Sequence, residues 1–344
     1  MRIVLVGATG NIGTALLRAA ADRSSVTHVD AVSRRGAGRL TTPGPVAVAH
    51  HALDAAAPAG TEDAERLAEL ASGADAVVHL AWSSARSASR ATAANVALSR
   101  GVLRAARGAR QLVVGSCASV YSASYTQDAR DEDWATDGLT GVALSQDKVG
   151  HEHLADEFER RHPGVVVTRV RPALVLQESA GAELARRHLG PLALGLGRAV
   201  PTLLWPEGLR LQVAHADDVA ATFLAAIERR APGAYNIASP QVLHAGDVAQ
   251  AIGAHRTVTI SPALAQTGHD VAWWTRTVRA RPDWLDVLRA VPVLDSSRAH
   301  DLLGVRPRWD GSDVLRAAAR GIADRREGWT PALSRRREPG PTHL

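Results

Sequence analysis

The chain has 344 residues, 46% of them hydrophobic, with a formal net charge of +5 and a single cysteine, Cys117. That length supports one large core with a smaller lobe attached, and one cysteine excludes an intrachain disulfide framework or a cysteine-based zinc site and suits a reducing cytoplasm. No apolar run is long enough to span a membrane, the N-terminal run lacks a signal-peptide layout, and the arginines show neither an aromatic-interleaved basic face nor a known module, so neither membrane nor nucleic acid is an expected partner.

Residues 2–6 are a β-branched and aliphatic run that reads as a buried parallel strand. Gly7, Gly10 and Gly13 follow, and 14–22 reads as a helix. In a strand, turn and helix each glycine has a physical job. Gly7 allows the tight turn, Gly10 admits a pyrophosphate to the backbone, and Gly13 lets helix and strand pack closely. A second strand, 26–33, ends in Arg34-Arg35-Gly36. Arginine at that strand tip accommodates a ribose 2′-phosphate, where a carboxylate would bind the free 2′-hydroxyl, so NADP is expected over NAD.

Residues 46–50 form a third strand, and Asp54 just beyond it either caps the adenine side of the pocket or starts a turn. A helix follows at 61–72 and a fourth strand at 75–81, whose carboxyl end, with Leu80 and Ala81, should face the cofactor. A helix at 92–107 carries Asn95. The fifth strand, 111–115, runs into Ser116 and Cys117, a helix at 145–162 contains Lys148, and the sixth strand, 165–171, stops at Pro172. Six such units without internal repeats predict an α/β protein with a doubly wound parallel sheet, a Rossmann fold.

Beyond Pro172 the alternation weakens. A helix is expected near 182–189, a strand at 209–215 returning to the sheet, a helix over 217–227 and a short strand at 234–238. Helices are expected at 242–252, 270–291 (holding Trp273, Trp274 and Trp284), 296–303 and 311–324. The division that follows is a nucleotide domain over 1–172, with returning segments near 209–238 and 293–303. A smaller, mainly helical substrate lobe covers 173–208 and 239–330, with the pocket in the cleft between. Residues 331–344, which include Arg335, Arg336 and Arg337, read as a disordered tail.

Among the forty lysines and arginines there is one lysine, Lys148. A coding bias toward arginine explains the rest, and a lone survivor points to a need for a compact amine that arginine cannot supply.

With these residues in view, the chain resembles the extended short-chain dehydrogenase/reductases, the NAD-dependent epimerase/dehydratase family, to about Ile322. The carrying motifs are Gly7-Ala-Thr-Gly10-Asn-Ile-Gly13, Val78-His-Leu-Ala81, Asn95, Ser116-Cys-Ala-Ser-Val-Tyr121, Arg171-Pro172 and His215-Ala-Asp-Asp-Val219. The resemblance implies a cofactor site that includes Thr9, Asn11, Ile12, Leu80, Ala81, Asn95, Lys148 and Pro172. It also implies three catalytic groups: a Ser or Thr holding the substrate oxygen, a Tyr exchanging the hydroxyl proton, and a Lys four residues later. That lysine shares a helix face with the Tyr, lowers its pKa and holds the nicotinamide ribose.

Lys148 matches the lysine, but Leu144 stands where the tyrosine belongs and Cys117 where the Ser or Thr belongs. Leucine moves no proton. Stand-ins are Tyr125, Ser116, Cys117 as a nucleophile, Ser119, Ser145 and His151. Trp82 is expected to line the pocket or the core, and His79 to be a buried, satisfied histidine. The leading reading is an NADP-dependent oxidoreductase or epimerase/dehydratase-like enzyme on a small organic substrate, cytoplasmic and able to form a homodimer. The alternatives are a non-redox isomerase, lyase or cyclase, or a nucleotide sensor without catalysis.

Overall fold

The computed structural model describes residues 1–35, 46–83, 85, 87–190 and 200–334. The first half alternates as predicted. It runs β1 (Arg2–Val6), α1 (Asn11–Ala21), β2 (His28–Ser33), β3 (Ala47–Ala52), α2 (Glu62–Ala71), β4 (Ala76–His79), α3 (Ala88–Ala106), β5 (Gln111–Gly115), the two-residue β6 (Ala129–Arg130), α4 (Ala143–Arg161) and β7 (Val166–Pro172). The second half is more broken. It runs β8 (Leu174–Leu176), α5 (Gly181–Leu184), β9 (Val200–Pro206), β10 (Leu211–His215), α6 (Ala216–Arg229), β11 (Gly233–Ile237), β12 (Val242–Leu243), α7 (Ala245–Ile252), β13 (Ala254–Ile260), α8 (Pro262–Trp274), α9 (Asp283–Ala290), β14 (Val293–Leu294), α10 (Ser297–Leu303) and α11 (Gly311–Ala323).

Seven strands form an all-parallel sheet in the order β11-β7-β5-β4-β1-β2-β3. The order reverses at β1, and ligands of such sheets bind outside the carboxyl ends at that reversal. Alternation along β1 explains why its apolar run is unbroken. Ile3 and Leu5 enter the core shared with α1 and α6, and Val4 and Val6 enter the core shared with α2, α3 and α4. Both faces are covered, so neither set of positions tolerates polarity. No helix among the described residues is long and apolar enough to cross a membrane.

Several expectations for the second half change. The 209–215 segment does not return to the main sheet; β10 lies parallel to β8 and antiparallel to β12. The edge beyond β7 is taken by β11, in register from Gly233↔Thr168 to Ile237↔Pro172. The helix expected over 242–252 begins only at Ala245, where the Asp247 carboxylate accepts from His244 N at 2.8 Å. The 270–291 segment divides into α8, which starts earlier behind a Ser261 cap, and α9. Strands β9 and β13 pair with each other outside the main sheet, and β13 is half exposed, so its sequence shows no clean alternation. The tail expectation starts too early. Leu333 is buried and the Thr330 hydroxyl donates to Thr9 O at 2.7 Å, which ties the chain back over the glycine turn. Residues 335–344 and Gly36 lie outside the described residues.

Candidate active site

Two clefts open at the carboxyl ends of the central strands. The smaller, about 340 Å³, is lined by Gly7, Thr9, Gly10, Asn11, Ile12, Gly13, Arg34 and Arg35 among others. Gly7 sits at φ +97°, and a Cβ there would lie 2.5 Å from Ala81 N. A Cβ on Gly13 would lie 2.4 Å from Gly7 O, so no side chain fits at either position without moving backbone. At Gly10 the nearest atom to a Cβ would be 3.5 Å away. Gly10 is also the N-cap of α1, and no side chain caps that helix, which leaves its first N–H groups available to an anion.

The structure separates the remaining expected cofactor residues. Arg34 and Arg35 are exposed at the mouth of the smaller cleft. Leu80 and Ala81 line it, but Asp54 does not; its carboxylate accepts from Ala56 N at 3.0 Å, closing its own turn, and Leu53 and Ala55 face the cleft instead. Asn11 lines the cleft while its side chain is tied to the chain after β8, donating to Val175 O at 3.1 Å and accepting from Gln177 at 2.6 Å. Asn95 lines neither cleft. Buried in α3, it pins the loop after β4, accepting from Ser83 N at 2.7 Å and donating to Asp147 at 3.3 Å.

The larger cleft, about 650 Å³, brings together Ser116, Cys117, Ser119, Leu144, Lys148 and Pro172. Lys148 projects from α4 with its amine 2.9 Å from Gly115 O and 3.7 Å from the centre of the Trp82 ring. Burial lowers its pKa, and nearby Cys117, Glu152 and Asp147 act against that shift. Cys117 Sγ lies 3.0 Å from Ser119 Oγ. Leu144 occupies the cleft wall one helical turn before Lys148.

None of the three tyrosines lines this cleft. Tyr125 is 70% exposed on the loop after β5, so its candidacy as proton donor fails on position. Tyr121 is fully buried and hydrogen-bonded to Asn236 at 2.7 Å and Arg171 at 3.0 Å; burial pushes its phenol up to about 12. Tyr235 donates to Pro232 O at 3.1 Å. Ser145 is also engaged away from the cleft, donating to Ser119 O and accepting from Leu139 N, each at 2.6 Å.

Two histidines sit behind Trp82. His79 is buried with no hydrogen-bond partner on either ring nitrogen among the described residues, so its expected satisfied state is not met there, and burial lowers its pKa to about 3. Its ring meets His151 edge-on at 4.9 Å, and His151 meets Trp82 at 5.7 Å and the Ser99 hydroxyl at 2.9 Å. The sequence reading missed the pair that braces this floor. Glu152, one turn past Lys148 on α4, accepts from Arg171 Nε at 2.9 Å and Nη2 at 2.6 Å. The i, i+4 spacing to Lys148 was the signal available for it. Arg210, Trp273 and Trp284 also line the larger cleft from the second half.

The sequence profile described as the NAD dependent epimerase/dehydratase family matches residues 3–238. Among curated proteins none matches the chain. Three solved structures are similar in fold. The UDP-glucuronic acid 4-epimerase from Bacillus cereus in complex with NAD superposes with a TM-score of 0.65 at 17% identity, covering 95% of this chain and 100% of that one. The UDP-glucose 4-epimerase from the hyperthermophile Thermotoga maritima gives 0.64 at 17%, covering 94% and 99%. The terminal R domain from the myxalamid PKS-NRPS biosynthetic pathway gives 0.72 at 19%, covering 94% and 91%.

Proposed function

Because the chain belongs to the NAD dependent epimerase/dehydratase family, we propose that it is a dinucleotide-dependent enzyme acting on a small organic substrate held in the larger cleft. The observation that carries this reading is the meeting of the two clefts at Ile12, Leu80 and Trp82, with Lys148 on the substrate side of that junction. The glycine turn fits a pyrophosphate, since a Cβ at Gly7 or Gly13 would strike backbone and the uncapped start of α1 offers N–H donors. When bound, the nicotinamide supplies a hydride acceptor or donor.

The chain's own residues then have distinct tasks. Lys148 holds the ribose hydroxyls, and Cys117 and Ser119 hold the substrate oxygen from the loop after β5. With Leu144 inert and Tyr125 at the surface, proton exchange falls to Cys117, Ser119 or a water in the cleft. Arg34 and Arg35 favour NADP(H), because the nearby Asp54 carboxylate is engaged in its own turn. The absence of any tyrosine from the cleft wall favours a second reading, a non-redox isomerase, lyase or cyclase on the same scaffold, in which the dinucleotide binds without exchanging hydride.

Titrating the protein with NADPH and NADH, followed by tryptophan fluorescence, tests the first reading. The expected result is NADPH binding about tenfold tighter than NADH, with the preference erased by the double change Arg34→Ala and Arg35→Ala. Failure to bind either dinucleotide would remove the proposal; equal binding would remove only the NADP(H) preference.

A further inference from the structure

The larger cleft contains a buried cation that no carboxylate among the described residues neutralises. Arg210, which immediately precedes β10, is 4% exposed and lines the cleft. It donates Nη2 to the Ser124 carbonyl at 2.6 Å and the Val291 carbonyl at 3.5 Å, while its Nε has no partner among the described residues. Two other arginines of the same wall are paired with carboxylates, Arg187 with Glu183 and Arg281 with Asp283, each at 2.7 Å; Arg186 donates to Ala332 O at 2.8 Å, and Arg279 is exposed to water. A guanidinium taken out of water is costly unless an anion pairs with it.

The rest of the wall limits what that anion can belong to. Away from the Ser116–Ser119 loop, which is left to hold a single substrate oxygen, two polar side chains that could read a sugar's hydroxyls are already engaged. Gln212 donates to Ser239 O and Leu294 O and accepts from Leu294 N. Asp147 accepts from Thr92 at 2.7 Å and from Asn95 at 3.3 Å. The surfaces that remain include Leu144, Leu211, Trp284, Leu288 and Val291. Such a wall rewards burial of apolar surface and offers few partners to hydroxyl groups.

We propose that the substrate of this cleft is a compact, largely apolar molecule carrying one carboxylate, which docks on Arg210. The proposal rests on the reading of the larger cleft as the substrate site and names the class of substrate it takes. Leu144 then has a positive role, extending the apolar wall where a tyrosine would place a hydroxyl.

The test is calorimetric titration of the full chain with 2-naphthoate, 2-naphthamide and UDP-glucose, with NADPH titrated into the same preparations. The parent protein should bind the carboxylate at least about tenfold tighter than the amide. That ratio should fall to about one in Arg210→Gln and persist in Arg210→Lys, which keeps the charge. Equal binding of the two naphthalenes by the parent, tighter binding of UDP-glucose than of 2-naphthoate, or an unchanged ratio in Arg210→Gln would overturn the proposal. Should Arg210→Gln fail to fold, the parent ratio and Arg210→Lys decide. Loss of NADPH binding with the naphthoate ratio intact would instead defeat the dinucleotide reading.

Discussion

The two clefts share a wall but are built by different means. The smaller is shaped mostly by backbone: a left-handed Gly7, two Cα positions where a side chain would strike a neighbouring main chain, and a helix start with no side-chain cap. The larger is shaped by side chains from α4, the loop after β5, β10 and α9, held in place by buried charge. A backbone cradle depends on a few consecutive residues, so it is rigid and insensitive to what packs elsewhere. A side-chain cleft depends on distant segments meeting, and each of its supports can fail separately.

The largest effect should come from the support of the larger cleft. The side chains of Arg171 and Glu152 are 7% and 5% exposed and meet through two hydrogen bonds. Burial alone would raise the Glu152 pKa, but the Arg171 contacts outweigh it and the net shift is downward. Glu152→Gln leaves Arg171 buried against a neutral amide, and breaking one partner of such a pair costs about 3–5 kcal/mol. Urea unfolding should show that loss, and joint replacement by Glu152→Leu and Arg171→Met should recover most of it. A loss below about 1 kcal/mol would mean that α4 is held to β7 by packing alone.

The converse perturbation is Gly13→Ala. Its Cβ would lie 2.4 Å from Gly7 O and 2.7 Å from Ala8 O, both backbone atoms, so the cradle itself must shift. Overpacking of this kind costs about 1–3 kcal/mol, and if that strain appears in dinucleotide affinity it is a loss of roughly fivefold to 150-fold. Binding of 2-naphthoate in the larger cleft should be little changed. If both ligands weaken equally, the clefts are one cooperative site and the contrast between them fails.

The same contrast explains what was legible in the sequence. The doubly wound parallel character of the main sheet follows from six apolar runs alternating with helices, though not its strand order or the place of β11 at its edge, and the cradle follows from three glycines within thirteen residues. Lys148 stood out because it is the chain's one lysine. The failures lie where tertiary context decides. Tyr125 looked available because it lies in the loop after the fifth strand, yet that loop carries it to the surface. Asp54 was open to two readings, an adenine contact or a turn start, and the second holds, since its carboxylate accepts from the N–H two residues on. Arg210 carried no local pattern, since it precedes a strand expected in another sheet, and Glu152 carried only its i, i+4 spacing to Lys148 among the many acidic residues of a charged helix. Strands β9 and β13 lacked the alternation that marks a strand, because each pairs only with the other and β13 is half exposed.

The wall that both clefts share responds to pH. Leu80 and Trp82 line both, and His79 lies behind them against His151. In the unfolded chain the His79 imidazole takes a proton near 6.5; in the folded protein burial, with the Lys148 charge, holds that protonation down to about 3. Between those values the unfolded state binds the extra proton. The stability is therefore complete above about pH 6.5 and is lost as pH falls toward 3. At pH 5 the loss from this one group is about 2 kcal/mol. His151 is depressed in the same direction, by burial first and then by the charges of His79, Lys148 and Arg169, so it adds with the same sign. Urea unfolding at pH 7 and pH 5 measures the total, to which His188, held down to about 4 by burial, and His50 and His215, depressed in the same direction by burial, add with the same sign. Because neither nitrogen of His79 has a partner among the described residues, His79→Leu gives up no hydrogen bond seen there and should remove its share of the slope. A variant as pH-sensitive as the parent would show that the histidines open to solvent before they protonate. Since the wall is common, both dinucleotide and naphthoate binding should weaken together on acidification, whereas Glu152→Gln and Gly13→Ala should each act chiefly on one.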